Sequence, residues 1–194
     1  RSIRHYERAL LLDRESSDSS GMAIRLKNLG LCYSKKGEFE TSVDNYLEAL
    51  SIVRFTNQKS EEASLNNSLG NVLNQLELFK RGLEHLVEAE MIWRGLGDSL
   101  RVSFALGNQG NSFLGLGEFD KAISSHEQAL EIKEHVASKS SISISLNNIG
   151  EVYFKLGRYD LAQNYFLRSL ELRSQRGEVK GVAIVLHNLA SIAI

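Results

Sequence analysis

Apolar residues recur along this chain at spacings of three and four. Met22, Leu26, Leu29 and Tyr33 follow this spacing, and Ile142, Leu146, Ile149 and Tyr153 repeat it far downstream. Positions i, i+4, i+7 and i+11 share one face of an α-helix. Each such segment ends near a glycine, Gly37, Gly117 or Gly157, as a left-handed C-terminal cap requires. A second helical pattern follows: between Tyr159 and Arg173, Ala162, Phe166, Ser169 and Leu170 point inward. Polar links such as GLGDS at 95–99 and ASKSS at 137–141 lead into the next pair. Proline is absent, so long helices need not kink. No Val/Ile/Thr alternation with hairpin turns signals a strand. The pattern predicts an all-α chain of antiparallel helix pairs.

The pairs repeat every forty residues without gaps. One column reads Gly30, Gly70, Gly110, Gly150 and Ala190; another reads Phe39, Phe79, Phe119 and Tyr159; a third reads Ala9, Ala49, Ala89, Ala129 and Ser169. A fixed period of this length marks a stacked repeat architecture. It divides the chain into units at 19–58, 59–98, 99–138 and 139–178, a lone second helix at 1–16 and a lone first helix at 179–194. Small residues at Ala122, Ala129 and Ala162 let paired helices approach closely. The second unit departs most, with Asn66 for Leu, Glu77 for Gly and Gly82 for Ala or Ser. Local looseness is expected there, since an intrahelical Gly costs about 1 kcal/mol relative to Ala.

Opposite the apolar stripe, at about 100° per residue, the first helices carry a second recurring direction of side chains. In the first unit it reads Ile24, Lys27, Asn28, Leu31 and Lys35; in the second, Ser64, Asn67, Ser68, Asn71 and Gln75. The third gives Phe104, Gly107, Asn108, Asn111 and Gly115, with Leu114 beside them. The fourth gives Ile144, Asn147, Asn148, Glu151 and Lys155, with Phe154, and the last gives Ile184, His187, Asn188 and Ser191. With Asn74 at its margin, this face holds nine of the thirteen asparagines. Asn is a mediocre helix former, so something other than propensity selects it.

The segments LNNIGEVYFKLGRYDLA and RSLEL resemble the tetratricopeptide repeat. The form is the longer, forty-residue one of kinesin light chains, spindle-orientation adaptors and bacterial signalling proteins, and the resemblance runs over essentially the whole chain. It implies a right-handed superhelical solenoid whose first helices line a concave wall. It also implies a scaffold that binds a protein or peptide, with an Asn ladder gripping an extended backbone. An Asn side chain offers a donor and an acceptor together, so Asn28, Asn108, Asn148 and Asn188 would serve such a ladder. The competing reading is packing, in which short polar side chains suit a crowded surface or bond neighbouring helices. Ligand contact is favoured, because concave solenoid faces are the usual binding surface. Leu31, Phe104, Leu114, Ile144, Phe154 and Ile184 would add apolar pockets. The paired Lys and Asn clamp for acidic chaperone tails is not reproduced: Leu31 and Ser68 stand where it needs Asn, and Phe104 and Asn108 where it needs basic residues. The family's frequent proline after the second helix is replaced by Arg54, Arg94, Glu134 and Ser174, which lets that helix run on.

Composition narrows the partners. The 194 residues carry a net charge of −1, which gives no general pull towards nucleic acid or an anionic membrane. An RNA-reading helical repeat is therefore disfavoured. No apolar run reaches membrane-spanning length. The lone Cys32 allows no internal disulfide, in keeping with a reducing, cytoplasmic setting. Asn66-Asn67-Ser68 matches a glycosylation acceptor, but a helix interior makes it a poor one. GNQGNSFLGLG at 107–117 lacks the Gly-Lys-Ser/Thr and the preceding strand of a phosphate loop. The histidines show no ligand spacing. No nucleophile, base and orienting group assemble, so neither an enzyme nor a cofactor is expected. A regulatory domain of a larger signalling enzyme, binding an intramolecular segment or signal peptide, is the main alternative to a scaffold. The two lone terminal helices, the last with Val182, Leu186, Leu189 and Ala193 on its apolar stripe, would leave apolar surface uncovered, and self-association through them is expected.

Overall fold

The computed structural model describes residues 2–136 and 139–192. Residues 137 and 138 of the expected link, and Ala193 of the expected last stripe, lie outside them. Among the described residues every element is an α-helix: α1 (Ser2–Glu15), α2 (Ser19–Lys36), α3 (Phe39–Phe55), α4 (Lys59–Gln75), α5 (Phe79–Gly95), α6 (Ser99–Gly115), α7 (Phe119–Val136), α8 (Lys139–Lys155), α9 (Tyr159–Ser174) and α10 (Val179–Ile192). The second helices run through the positions where proline was expected. Arg54 and Arg94 lie inside α3 and α5, and Ser174 closes α9.

Among the described residues the turns share one geometry, spaced by twenty residues or a multiple of twenty rather than by forty alone. Ser17, Asn57 and Glu77 have φ between 55° and 59°, and Gly37, Gly97, Gly117, Gly157 and Gly177 between 66° and 81°. After Ser17, Gly37, Asn57, Glu77, Gly117, Gly157 and Gly177 the next N–H returns to a carbonyl five residues back, as in Glu38 N to Tyr33 O (3.0 Å) and Gln58 N to Val53 O (2.9 Å). This is the six-to-one hydrogen bond of a Schellman cap. The links between pairs at 16–18 and 56–58 are therefore as tight as the turns within pairs.

Contacts group the chain into two compact units, one up to Gly97 and one from Asp98. In the first, each helix from α1 to α5 packs on its neighbours in the chain; in the second, α6 to α10 do the same, and α8 also touches α6 and α10. The glycine column explains how the pairs close. A Cβ on Gly30 would lie 2.6 Å from the Tyr46 ring, one on Gly110 2.6 Å from the His126 ring, and one on Gly150 2.7 Å from the Phe166 ring. One bulky side chain of each second helix thus lies on bare backbone of the first. Ala49, Ala89, Ala129 and Ser169 are wholly buried. Each fully buried Leu, such as Leu26 or Leu146, contributes about 1.5–3 kcal/mol.

The repeat at 59–98 corrects two expectations. Gly82 is not a loose point: it is buried, and a Cβ there would lie 2.9 Å from Gly70 O and 2.6 Å from Asn74 Oδ1. Gly70 and Gly82 mark the closest approach of α4 and α5. Asn66 is wholly buried and pairs its Oδ1 with His85 Nδ1 at 2.8 Å, a polar cross-link where the other units have Leu. Leu186, expected on the inward stripe of α10, is 51% exposed, because no described helix packs over it. Cys32 is half-buried, with its Sγ 3.8 Å from Ser2 Oγ.

Candidate peptide-binding face

The first helices carry the candidate residues, and the two units are described separately. In the first, Lys27 does not stand open. Its Nζ donates to Glu61 Oε2 of α4 at 2.7 Å, so its charge is already matched. Asn28 and Asn67 are half-buried, whereas Leu31 and Asn71 are exposed.

In the second unit the face separates into stripes. Phe104 and Ile144 are 40% and 47% exposed, and Asn111 and Glu151 are exposed as well. Asn108, Asn148, Leu114 and Phe154 are half-buried. Asn147 is buried, and its Oδ1 accepts from Asn188 Nδ2 of α10 at 3.1 Å. That pair bonds one helix to the next, which is the packing role for Asn. Asn67 and Asn108 each take part in an interaction inside the protein. Among the described residues, none hydrogen-bonds the side chain of Asn28, Asn71, Asn111 or Asn148.

Glu151, Phe154, His187 and Asn188 come together around a cavity of about 200 Å³ between α8 and α10, with Lys155, Phe166 and Ser191 completing its wall. The floor is aromatic and the rim polar, with one acidic and one basic side chain. Phe154 is held by Tyr159, with ring centroids 5.5 Å apart. A cavity of this size accommodates one amino-acid side chain; a 150 Å³ apolar cavity is known to take benzene.

The reading of first helices alone missed two basic residues on α7. His126 is wholly buried over Gly110, and neither ring nitrogen has a hydrogen-bond partner. Burial, helped by the nearby Lys133 charge, pushes its pKa down to about 4. Lys133 is 6% exposed, and its Nζ donates to Ser145 Oγ of α8 at 2.9 Å. Burial pushes its pKa down to about 8. The ammonium also lies 5.6 Å from the centre of the Phe104 ring, on the candidate face. Sequence held a signal for this. Lys133 shares a column with Asp13, Val53, Trp93 and Arg173, while Gly107 stands where Lys27, Asn67, Asn147 and His187 stand.

Among the described residues, no cluster of His, Cys, Asp and Glu is placed to hold a metal, and no helix is long and apolar enough to cross a membrane. Asn66-Asn67-Ser68 lies inside α4, and Gly110 of the glycine-rich segment lies inside α6.

The sequence profile of the Tetratricopeptide repeat family matches residues 61–135 and 141–193, and a second profile of the same description matches 28–52. No curated protein sequence matches. Several solved structures share the fold. BtubC (BKLC) from P. vanneervenii superposes with a TM-score of 0.79 at 23% identity, over 89% of this chain and 72% of that one. A Rap protein complexed with competence and sporulation factor gives 0.80 at 15% identity, over 98% of this chain and 58% of that one. Nearly identical TPR-like repeats of a putative kinesin light chain from Podosopora anserina give 0.72 at 13% identity, over 90% and 86%. With two thirds of the sequence matched by one profile and an all-α helical repeat throughout the described residues, the chain belongs to the tetratricopeptide repeat family, a fold of protein-interaction scaffolds.

Proposed function

We propose that the chain is a protein-interaction scaffold that holds an extended peptide segment along its first helices, with α6, α8 and α10 supplying the main contacts. The observation that carries this reading is the state of Asn111 and Asn148. Their amides have no partner among the described residues, and they share their helices with the exposed Phe104 and Ile144. Each amide can satisfy a backbone N–H and a C=O at once, so extended chains of many sequences can be gripped without matching charges. The cavity between α8 and α10 then takes one ligand side chain.

Peptides selected on the chain from a random displayed library supply the probe. Asn111→Ala and Asn148→Ala should each weaken their binding by about 1–3 kcal/mol, the cost of leaving a buried polar partner unpaired, with the melting temperature unchanged. Asn147→Ala is the contrast, since it breaks the bond to Asn188 and should lower the melting temperature. Lost stability at Asn111 and Asn148 with unchanged affinity would establish packing as their role.

A second reading makes the chain a regulatory domain that binds a signal peptide within a larger signalling protein. The likeness to a Rap protein complexed with competence and sporulation factor favours it. The same face and the same variants serve both readings.

A further inference from the structure

Lys133 is a buried charge at a place where apolar side chains also fit. Its column reads Asp13, Val53, Trp93, Lys133 and Arg173, and Val53 and Trp93 are buried to 1% and 3% exposure. An ammonium has three donors, and here a single hydroxyl, Ser145 Oγ, accepts from it. Among the described residues no carboxylate lies within 4 Å of Nζ. The other basic group nearby on α7, His126, faces Gly110 one turn along α6 and brings no negative charge. A buried cation with so little compensation is costly, and such groups concentrate at functional sites.

Gly107 gives this ammonium a way out. A Cβ built there meets only Lys133 Nζ, at 3.9 Å, and nothing else within 4 Å. Every other repeat carries a side chain at that position. The missing side chain leaves a notch in the candidate face, with Nζ at its floor, Phe104 at its wall and Ser145 beside it.

We propose that Lys133, Gly107, Ser145 and Phe104 form a carboxylate subsite, occupied by an acidic side chain of the bound peptide. A carboxylate entering over Gly107 forms a charge-assisted hydrogen bond with Nζ and supplies the counter-charge the ammonium lacks. The occupant rests on the peptide-binding reading given above; the anion chemistry rests on Lys133 itself.

Two probes test the subsite. The first is sodium propionate, followed by NMR of the lysine ε-methylenes in the whole chain. The Lys133 signal should shift saturably, and the effect should vanish in Gly107→Leu, which fills the notch but keeps the charge. The second is a set of acetylated, amidated peptides selected on the face and remade with Glu, Gln or Lys at each position. One position should favour Glu over Gln by about tenfold, as expected for one ionic hydrogen bond. Lys133→Met, folded by circular dichroism, should erase that preference while other contacts persist. No saturable propionate shift, or a Glu preference that survives Lys133→Met, overturns the subsite. If peptides bind and Asn148→Ala weakens them without any Glu preference, the subsite falls and the peptide reading stands. Saturable propionate binding at Lys133 with peptide affinity untouched by Asn148→Ala keeps the subsite and removes the peptide reading.

Discussion

His126 and Lys133 lie two turns apart on α7, and each is set against a glycine of α6. Their charged forms are both disfavoured by burial, but the consequences appear at opposite ends of the pH scale. His126 titrates at about 4 when folded and about 6.5 when not. As pH falls through that window the unfolded chain takes up the proton first, so stability is lost between pH 6.5 and 4. The loss approaches about 3 kcal/mol. His126→Phe should flatten this acid limb in urea titrations at pH 4–7. Phe166 over Gly150 shows that an aromatic ring fits such a site. Lys133 titrates at about 8 when folded against 10.5 unfolded. The full penalty is present below pH 8 and is relieved as pH rises towards 10.5. Lys133→Met should therefore stabilise the chain at pH 7 by about 1–3 kcal/mol and remove the alkaline rise, both measurable by thermal melts.

Helices here are joined by a turn used again and again, and its weakest chemical match is Glu77. A non-glycine residue at φ 59° is held in the left-handed region at a cost on the order of 1 kcal/mol, which Gly avoids. Glu77→Gly should raise stability by up to about 1 kcal/mol by urea unfolding. Glycine has the opposite meaning inside α4. A Cβ on Gly70 would lie 2.5 Å from Leu86 Cγ and 2.8 Å from Gly82 O, and backbone cannot step aside as a side-chain tip can. Gly70→Ala should destabilise by about 1–3 kcal/mol, although Ala is the better helix former. Ion pairs also repeat along the second helices: Arg14 with Glu48 at 2.6 Å and Arg54 with Glu88 at 2.5 Å, each thirty-four residues on. Partly exposed pairs of this kind contribute about 0–1 kcal/mol each, so they adjust helix stacking more than they sustain it.

For the molecule as a whole, contacts are local in sequence, and the described helices touch neighbours one or two places along the chain. Stability in such an array is a sum of repeat and nearest-neighbour terms. Damage should therefore stay near its source. Hydrogen exchange followed by mass spectrometry should show Gly70→Ala speeding exchange in α3, α4 and α5. Protection in α8 and α9 should remain close to that of the parent chain. Uniform loss of protection along the chain would mean that the repeats unfold as one cooperative block.

The helices, their all-α class and the repeat were open to a reader of the sequence. Periods of three to four and of forty are properties of one chain, and local propensity and capping act over a few residues. Gly37, Gly117 and Gly157 announced their left-handed turns because few other residues adopt that backbone at low cost. Ser17 and Glu77 did not, since their side chains give no such signal, and Asn57, although Asn tolerates that backbone, stands in a link between pairs where the forty-residue pattern asked for no such turn. The asparagines mark the boundary most clearly. Asn147 and Asn148 read alike as members of one face, yet Asn147 is buried against Asn188 and Asn148 has no such bond among the described residues. Which outcome applies depends on what a neighbouring helix brings within about 3 Å, a distance that no spacing along one chain encodes. Lys133 follows the same logic: it counts as an ordinary surface charge until α6 offers a missing side chain at Gly107 and α8 a hydroxyl at Ser145.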